Sequence, residues 1–349
     1  MQLRAGRATG AVAVALVLLA ACGNDNSDAY AELTDAQADP AVSGDVAITG
    51  SSTVEPISTF AAQAFFGQSG QVSISVEGPG TGDGMENFCG GDADITGASR
   101  PIKAEELAAC GEAGIEVIEL PVGLDGIAVV ASPDNPVECL SFADLYALIG
   151  PEATGVDQWS GAADLAGTLG SETDFPDENL VLTGPGEESG TYDSFLEQVI
   201  EPVAEERAEA GAISEDAAGS ARADYASSAN DNTIIDAVAS DSGGLGWVGF
   251  AFAAESPSVR LVPIAAEPGE PCVPAEADTI RDGSYPISRT LFIYVNEAKA
   301  EEDPAVAAFV DFYLAGLDDF VALAEYVDLA DPDATREVWD ARTTGTRQG

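Results

Sequence analysis

Val46-Ala-Ile-Thr-Gly-Ser-Ser-Thr-Val-Glu-Pro-Ile57 decides how the chain folds. Val46 to Thr49 is a short β-type run, closed by Gly50 and the hydroxyls Ser51, Ser52 and Thr53. Val54, Ile57, Ala61 and Phe65 then recur at helical spacing, with Pro56 near the start. Strand, glycine turn, helix is therefore the unit, and it returns along the chain. Val72-Ser-Ile-Ser-Val76 alternates as a strand and runs into Glu77-Gly-Pro-Gly-Thr-Gly-Asp-Gly84, before Met85 and Phe88. Ala93 to Arg100 is another strand-to-turn. Ile115 to Leu120 is a strand, and Gly126 to Ala131 is an apolar run suited to burial on both sheet faces. Leu180 to Thr191 repeats strand, glycine turn and hydroxyls, after which Tyr192, Phe195, Leu196 and Val199 share a helical face that should end before Pro202. Leu245–Phe252 and Leu291–Val295 supply later strands. The alternation predicts an α/β fold with largely parallel sheets.

Three of these turns carry chemistry: Gly50-Ser51-Ser52-Thr53, Gly80-Thr81-Gly82 and Ser189-Gly190-Thr191. Each places backbone N–H groups and a hydroxyl at a helix start, where unpaired donors and partial positive charge suit an anion. Taken singly, each reads more simply as an N-cap or a tight turn; three in matching order favour an anion. None contains the P-loop lysine pattern, and no Gly-x-Ser-x-Gly elbow is present.

Composition narrows the classes. The chain of 349 residues carries 61 Asp and Glu against 13 Lys and Arg, with no histidine. Such a surface repels nucleic acid and anionic lipid. Lacking histidine, it cannot build His-based triads, general bases or metal sites, and no cofactor or metal is expected. The acidity also suits solubility at high salt, though an ordinary acidic exported protein would show it too. At the N-terminus, Arg4 and Arg7 precede an uncharged run from Ala8 to Ala21 and then Cys22. This is a secretory leader, short for a membrane span. It resembles a bacterial lipoprotein signal, with residues 1–21 removed and Cys22 acylated. Residues 22–44 are polar and acidic, as in a flexible tether. Four further cysteines permit three pairings; Cys89–Cys110 is the economical choice, leaving Cys139–Cys272.

Gly50–Ile57, Gly80–Gly84 with Phe88-Cys89, Asp94-Ile-Thr-Gly-Ala-Ser-Arg-Pro-Ile102 and Gly184–Phe195 together resemble the PstS family, the phosphate-binding lipoproteins of bacterial phosphate ABC importers. Asp224–Asn232, Leu245–Phe250 and Tyr285–Tyr294 continue the likeness over roughly residues 45–345. The resemblance implies a two-lobed, type II periplasmic-binding-protein fold with two crossover strands at the hinge. Lobe one would hold 45–125 plus 287–349, and lobe two 126–286. It implies a monomer that buries inorganic phosphate between the lobes, hands it to permease subunits, and stays outside the cytoplasmic membrane on its lipid.

Carried over by position, Ser52, Thr53 and Thr81 would bind phosphate from lobe one, and Ser189, Gly190 and Thr191 from lobe two. The chain departs from one branch of the family at the guanidinium. Pro185 stands where that branch has arginine, and Arg100 where it has aspartate, so Arg100 is the expected clamp, as in the branch that reads Ala-Ser-Arg-Pro. An acceptor for the phosphate proton would exclude sulfate. Asp83, inside the second turn, ranks ahead of Asp125, Glu187 and Glu188. Two alternatives stand beside this reading. One is a receptor for another tetrahedral oxyanion. The other is a phosphate-releasing hydrolase, for which neither Lys103 nor Lys299 sits in a Ser-x-x-Lys pattern.

Overall fold

Strand β1 (Gly44–Gly50) turns Val46 and Ile48 inward and pairs in parallel with β2 (Val72–Val76) and β3 (Ile95–Ala98). The computed structural model describes residues 33–187 and 189–346, so the leader, Cys22 and Glu188 lie outside the described residues. Helices α1 (Glu55–Ser69), α2 (Thr81–Gly90) and α3 (Ala104–Glu112) follow the three strands in turn. The end of β1 depends on glycine. Gly50 has φ +125°, and a Cβ there would stand 2.2 Å from the Gly97 carbonyl. Gly84 of α2 lies against the other side, where a Cβ would meet the Gly50 Cα at 2.2 Å. Only bare backbone permits this approach, and it seats the start of α2 over the end of β1.

The long strand β4 (Val117–Ala131) is buried along nearly all of its length. From Val117 to Gly126 it pairs antiparallel with β11 (Ser288–Asn296), which also flanks β3. From Ile127 to Ala131 it pairs instead with β8 (Gly244–Gly249). β8 in turn lies parallel to β6 (Val181–Gly184), and β6 to β7 (Ala226–Ser227). β9 (Arg260–Leu261) adds to the end of β4, while β5 (Leu140–Ser141) and β10 (Ile264–Ala265) form a separate small sheet. The expected parallel pairing holds for β1 with β2 and β3 in one half and for β6 with β7 and β8 in the other, whereas β4 and β11 run antiparallel to each other and to their further neighbours β8, β9 and β3.

Apolar burial divides at the same place. One core draws on Ala36–Val122 and Leu291–Trp339, with a satellite around Phe88, Phe292 and Tyr294. The other draws on Leu124–Ile287 and includes Val327, whose backbone exchanges hydrogen bonds of 2.8 and 2.9 Å with Leu124. Disulfide Cys89–Cys110 ties α2 to α3, and Cys139–Cys272 closes the small sheet. Both pairings are the expected ones, and each stays within one half.

Pro202 does not end its helix, contrary to the sequence expectation. α4 (Gly190–Phe195) passes through a π-helical segment, Leu196–Ile200, into α5 (Glu201–Glu209), with Pro202 in the first turn of α5. Across the wider turn Glu201 N–H donates to Leu196 O, and Pro202 follows where the next helical segment begins. Ser194 and Glu197 lie on the side of the helix facing β11.

Candidate functional site

The first turn is held by its own hydroxyl. Ser51 N–H donates to Gly97 O at 2.9 Å, and Ser51 Oγ accepts from Thr53 N–H at 3.2 Å. Thr53 is thereby fixed and buried, and Ser52 half-buried. Ser52 Oγ donates to Asp193 Oδ2 at 3.1 Å, and Thr53 Oγ1 lies 3.2 Å from Ser194 Oγ, so both hydroxyls meet the helix from the other half. Burial raises the Asp193 carboxyl above its ordinary range, with the Ser52 bond opposing. The third turn sits against the first: Ser189 Oγ caps Thr191 N–H at 3.2 Å, and a Cβ on Gly190 would stand 3.5 Å from Thr53 Cα. In the second turn, Thr81 Oγ1 lies 3.2 Å from Ser99 Oγ and accepts from Ser99 N–H at 3.3 Å.

A cleft of about 790 Å³ opens between the halves, with Thr81, Ser99, Arg100, Lys103, Glu197 and Arg289 among its lining. Arg100 reaches it but is committed elsewhere. Its two terminal nitrogens form a fork on Glu106, at 2.9 and 2.7 Å, and Nη1 also donates to Pro101 O at 3.1 Å. Glu106 additionally accepts from Lys103 N–H at 2.8 Å at the start of α3. Burial pushes the Glu106 carboxyl up, and the Arg100 bonds outweigh it, so it titrates below its ordinary range.

Arg289 on β11, rather than the expected clamp Arg100, stands where the two halves meet. Nη2 donates to Thr53 Oγ1 at 3.2 Å and to Ser194 Oγ, Nη1 pairs with Glu197, and Nε reaches Asp125 Oδ2 at 3.4 Å. One guanidinium therefore touches hydroxyls of both halves. A signal for it was present: Arg289 lies in the Tyr285–Tyr294 motif, at the return crossing, in a chain poor in cations.

The acceptor ranking also changes. Asp83 is exposed on α2, because the turn that buries Thr81 and Gly84 leaves position 83 facing solvent. Glu187 is exposed as well. Asp125 on β4 is 3% exposed and lies beside Arg289; burial drives its carboxyl upward, and the Arg289 charge pulls it back only in part.

The sequence profile of the PBP superfamily domain matches residues 35–316. The chain belongs to the PBP superfamily. Within that superfamily it is 35% identical over 288 residues to the protein SphX of Synechocystis, covering 81% of this chain and 78% of that one. It is 30% identical over 302 residues to the phosphate-binding protein PstS of Staphylococcus aureus, covering 86% and 80%. Among solved structures, one described as a "possible phosphate binding protein" from Planctomyces limnophilus superposes with a TM-score of 0.75 at 34% identity, covering 86% of this chain and 99% of the other. Its PBP fold is therefore the type II arrangement. Among the described residues, no helix is long and apolar enough to cross a membrane.

Proposed function

We propose that this PBP-superfamily chain captures inorganic phosphate in the cleft between its halves and delivers it to an ABC permease. The observation that carries the reading is Arg289, whose guanidinium bonds at once to Thr53 of one half and Ser194 of the other. A planar fork flanked by hydroxyls and turn N–H groups is suited to a tetrahedral oxyanion. The names of the relatives support phosphate as that anion. In this reading Ser52, Thr53 and Thr81 donate from lobe one (45–125 plus 287–349), and Ser189, Gly190 and Thr191 from lobe two (126–286). Arg289 supplies the central cation and Arg100 a second one across the cleft. Asp125, a buried carboxylate beside Arg289, is the acceptor that admits protonated phosphate and rejects sulfate. Donors on both lobes favour closure around the ligand.

The chain acts as a monomeric, lipid-anchored receptor outside the cytoplasmic membrane, and it binds rather than transforms its ligand. Titration calorimetry of phosphate-stripped protein should give strong heats with phosphate and none with sulfate; arsenate reports whether shape alone is read. Absence of phosphate heat would overturn the reading. Replacing Cys22 by Ser should release the protein from membranes, and an unchanged membrane fraction would remove the lipid anchor.

A further inference from the structure

Arg289 has five N–H groups. Four are directed at Asp125, Glu197, Ser194 and Thr53, which leaves one on Nη1. A bidentate oxyanion needs two parallel N–H bonds from one edge of the guanidinium. Every edge includes a group already engaged, so the anion must displace something. The four present partners differ sharply in what displacement costs. Thr53 is 2% exposed and Ser194 fully buried, and neither hydroxyl can turn to water. Asp125 is 3% exposed within β4, and parting it from Arg289 would strand a buried carboxylate. Glu197 is different: its side chain is 47% exposed, and it leaves Arg289 simply by swinging into solvent.

We propose that Glu197 is a built-in competitor for the anion: its carboxylate holds Arg289 before phosphate arrives, and phosphate binds by displacing it. This rests on the phosphate reading above and adds a residue that sets affinity and specificity. The apparent affinity falls by the fraction of molecules in which Arg289 is free. A pair formed nine-tenths of the time therefore weakens binding about tenfold. The competitor also acts as a filter. Being tethered, it stays at high effective concentration. A spherical monoanion such as chloride, which cannot make two parallel bonds, loses to it, whereas a phosphate dianion that also collects turn N–H groups wins. In a chain this acidic, that filter keeps abundant small anions off a cation that bonds to both lobes.

The test is calorimetry with phosphate on wild type, Glu197→Gln and Glu197→Asp, at low and at molar potassium chloride. Glu197→Gln removes the charge. Glu197→Asp keeps the charge but shortens the reach to Arg289. Both should bind phosphate about tenfold more tightly at low salt, and both should lose more affinity than wild type when chloride is added. Glu201→Gln removes a neighbouring charge that does not touch Arg289, and should change affinity by less than about threefold. If Glu197→Asp binds like wild type while Glu197→Gln binds tighter, a simple field effect explains the result and the proposal is overturned. It is equally overturned if both variants bind at wild-type strength. Wild type that gives no phosphate heat would instead sink the parent reading, a separately visible result. Arginine side-chain NMR without phosphate gives a ligand-free readout: Arg289 should rotate slowly in wild type and faster in both Glu197 variants.

Discussion

Two arginines line the same cleft, and their surroundings are opposites. Arg100 finds its carboxylate six residues away, on the helix that follows it, and fills its fork within one lobe. Arg289 draws on Asp125, Glu197, Ser194 and Thr53, which lie 164, 92, 95 and 236 residues away. The first environment is set by local sequence and survives any motion between the lobes. The second exists only where β4, β11 and the two halves converge. In the proposed closure on phosphate, a cation satisfied locally would report little, whereas one satisfied from both sides would couple ligand to closure. The difference teaches that a guanidinium inside a matched motif need not be the one on which both halves converge.

The comparison breaks most visibly at Arg289. Arg289→Ala should weaken phosphate binding by at least about a hundredfold, roughly 3 kcal/mol, because it removes a charge-assisted fork in a site largely shielded from water. Arg289→Lys should recover only part, since an ammonium cannot span two oxygens. Calorimetry measures both. A near-wild-type affinity for Arg289→Ala would return the clamp to another residue.

Arg100 sharpens the same comparison with a smaller effect. Its fork is held by Glu106, so phosphate gains from it mainly through longer-range attraction, and Arg100→Ala should weaken binding by no more than about tenfold. Glu106→Gln should then strengthen binding modestly by loosening the Arg100 fork. If Arg100→Ala costs as much as Arg289→Ala, the two arginines act as equal clamps and the contrast fails.

Much of this was legible in the chain. The strand–turn–helix unit at Val46–Ile57 is local, written by β-branched residues, glycine and helical spacing, and it folds as read. Thr53, Thr81 and Ser189 stand at helix starts for the same local reason, and the two disulfides follow from pairing near neighbours first. What was not legible depends on distant partners. The change of β4 from β11 to β8 beyond Gly126 agrees with the lobe boundary that the family resemblance implied, but no local pattern announces it. Nothing near Pro202 shows that a π segment will carry the helix past it. Asp83 sits in a ligand-like turn yet faces outward, because Gly84, its neighbour, is the residue pressed onto Gly50. Arg289 was visible as a rare cation at the crossing, but its role rests on Thr53 and Ser194, which only the tertiary fold brings to it.

A third arginine supplies the smallest and most local test. Arg222 is buried, forks onto Asp224 at 2.7 and 2.9 Å, and donates to Leu148 O at 3.2 Å, apart from the cleft lining. Asp224 also accepts from Gly155 N–H at 2.8 Å, and the Arg222 bond leads in lowering its carboxyl to about 2. An aspartate in the unfolded chain titrates near 3.9. The folded state therefore binds the proton less readily, so the contribution is full above about pH 4 and is lost as pH falls toward 2. Because the Asp224 side chain is 39% exposed, solvent screens the pair and the effect is modest. Asp224→Asn should lower the melting temperature at pH 7 by no more than about 2–4 °C, and the difference from wild type should shrink as the pH drops through that window. Phosphate affinity should not change, since this pair is satisfied within one half and, unlike Arg100, lies apart from the cleft lining. A melting difference that persists at pH 2, or a loss of phosphate binding, would show that local satisfaction does not insulate an arginine from the cleft.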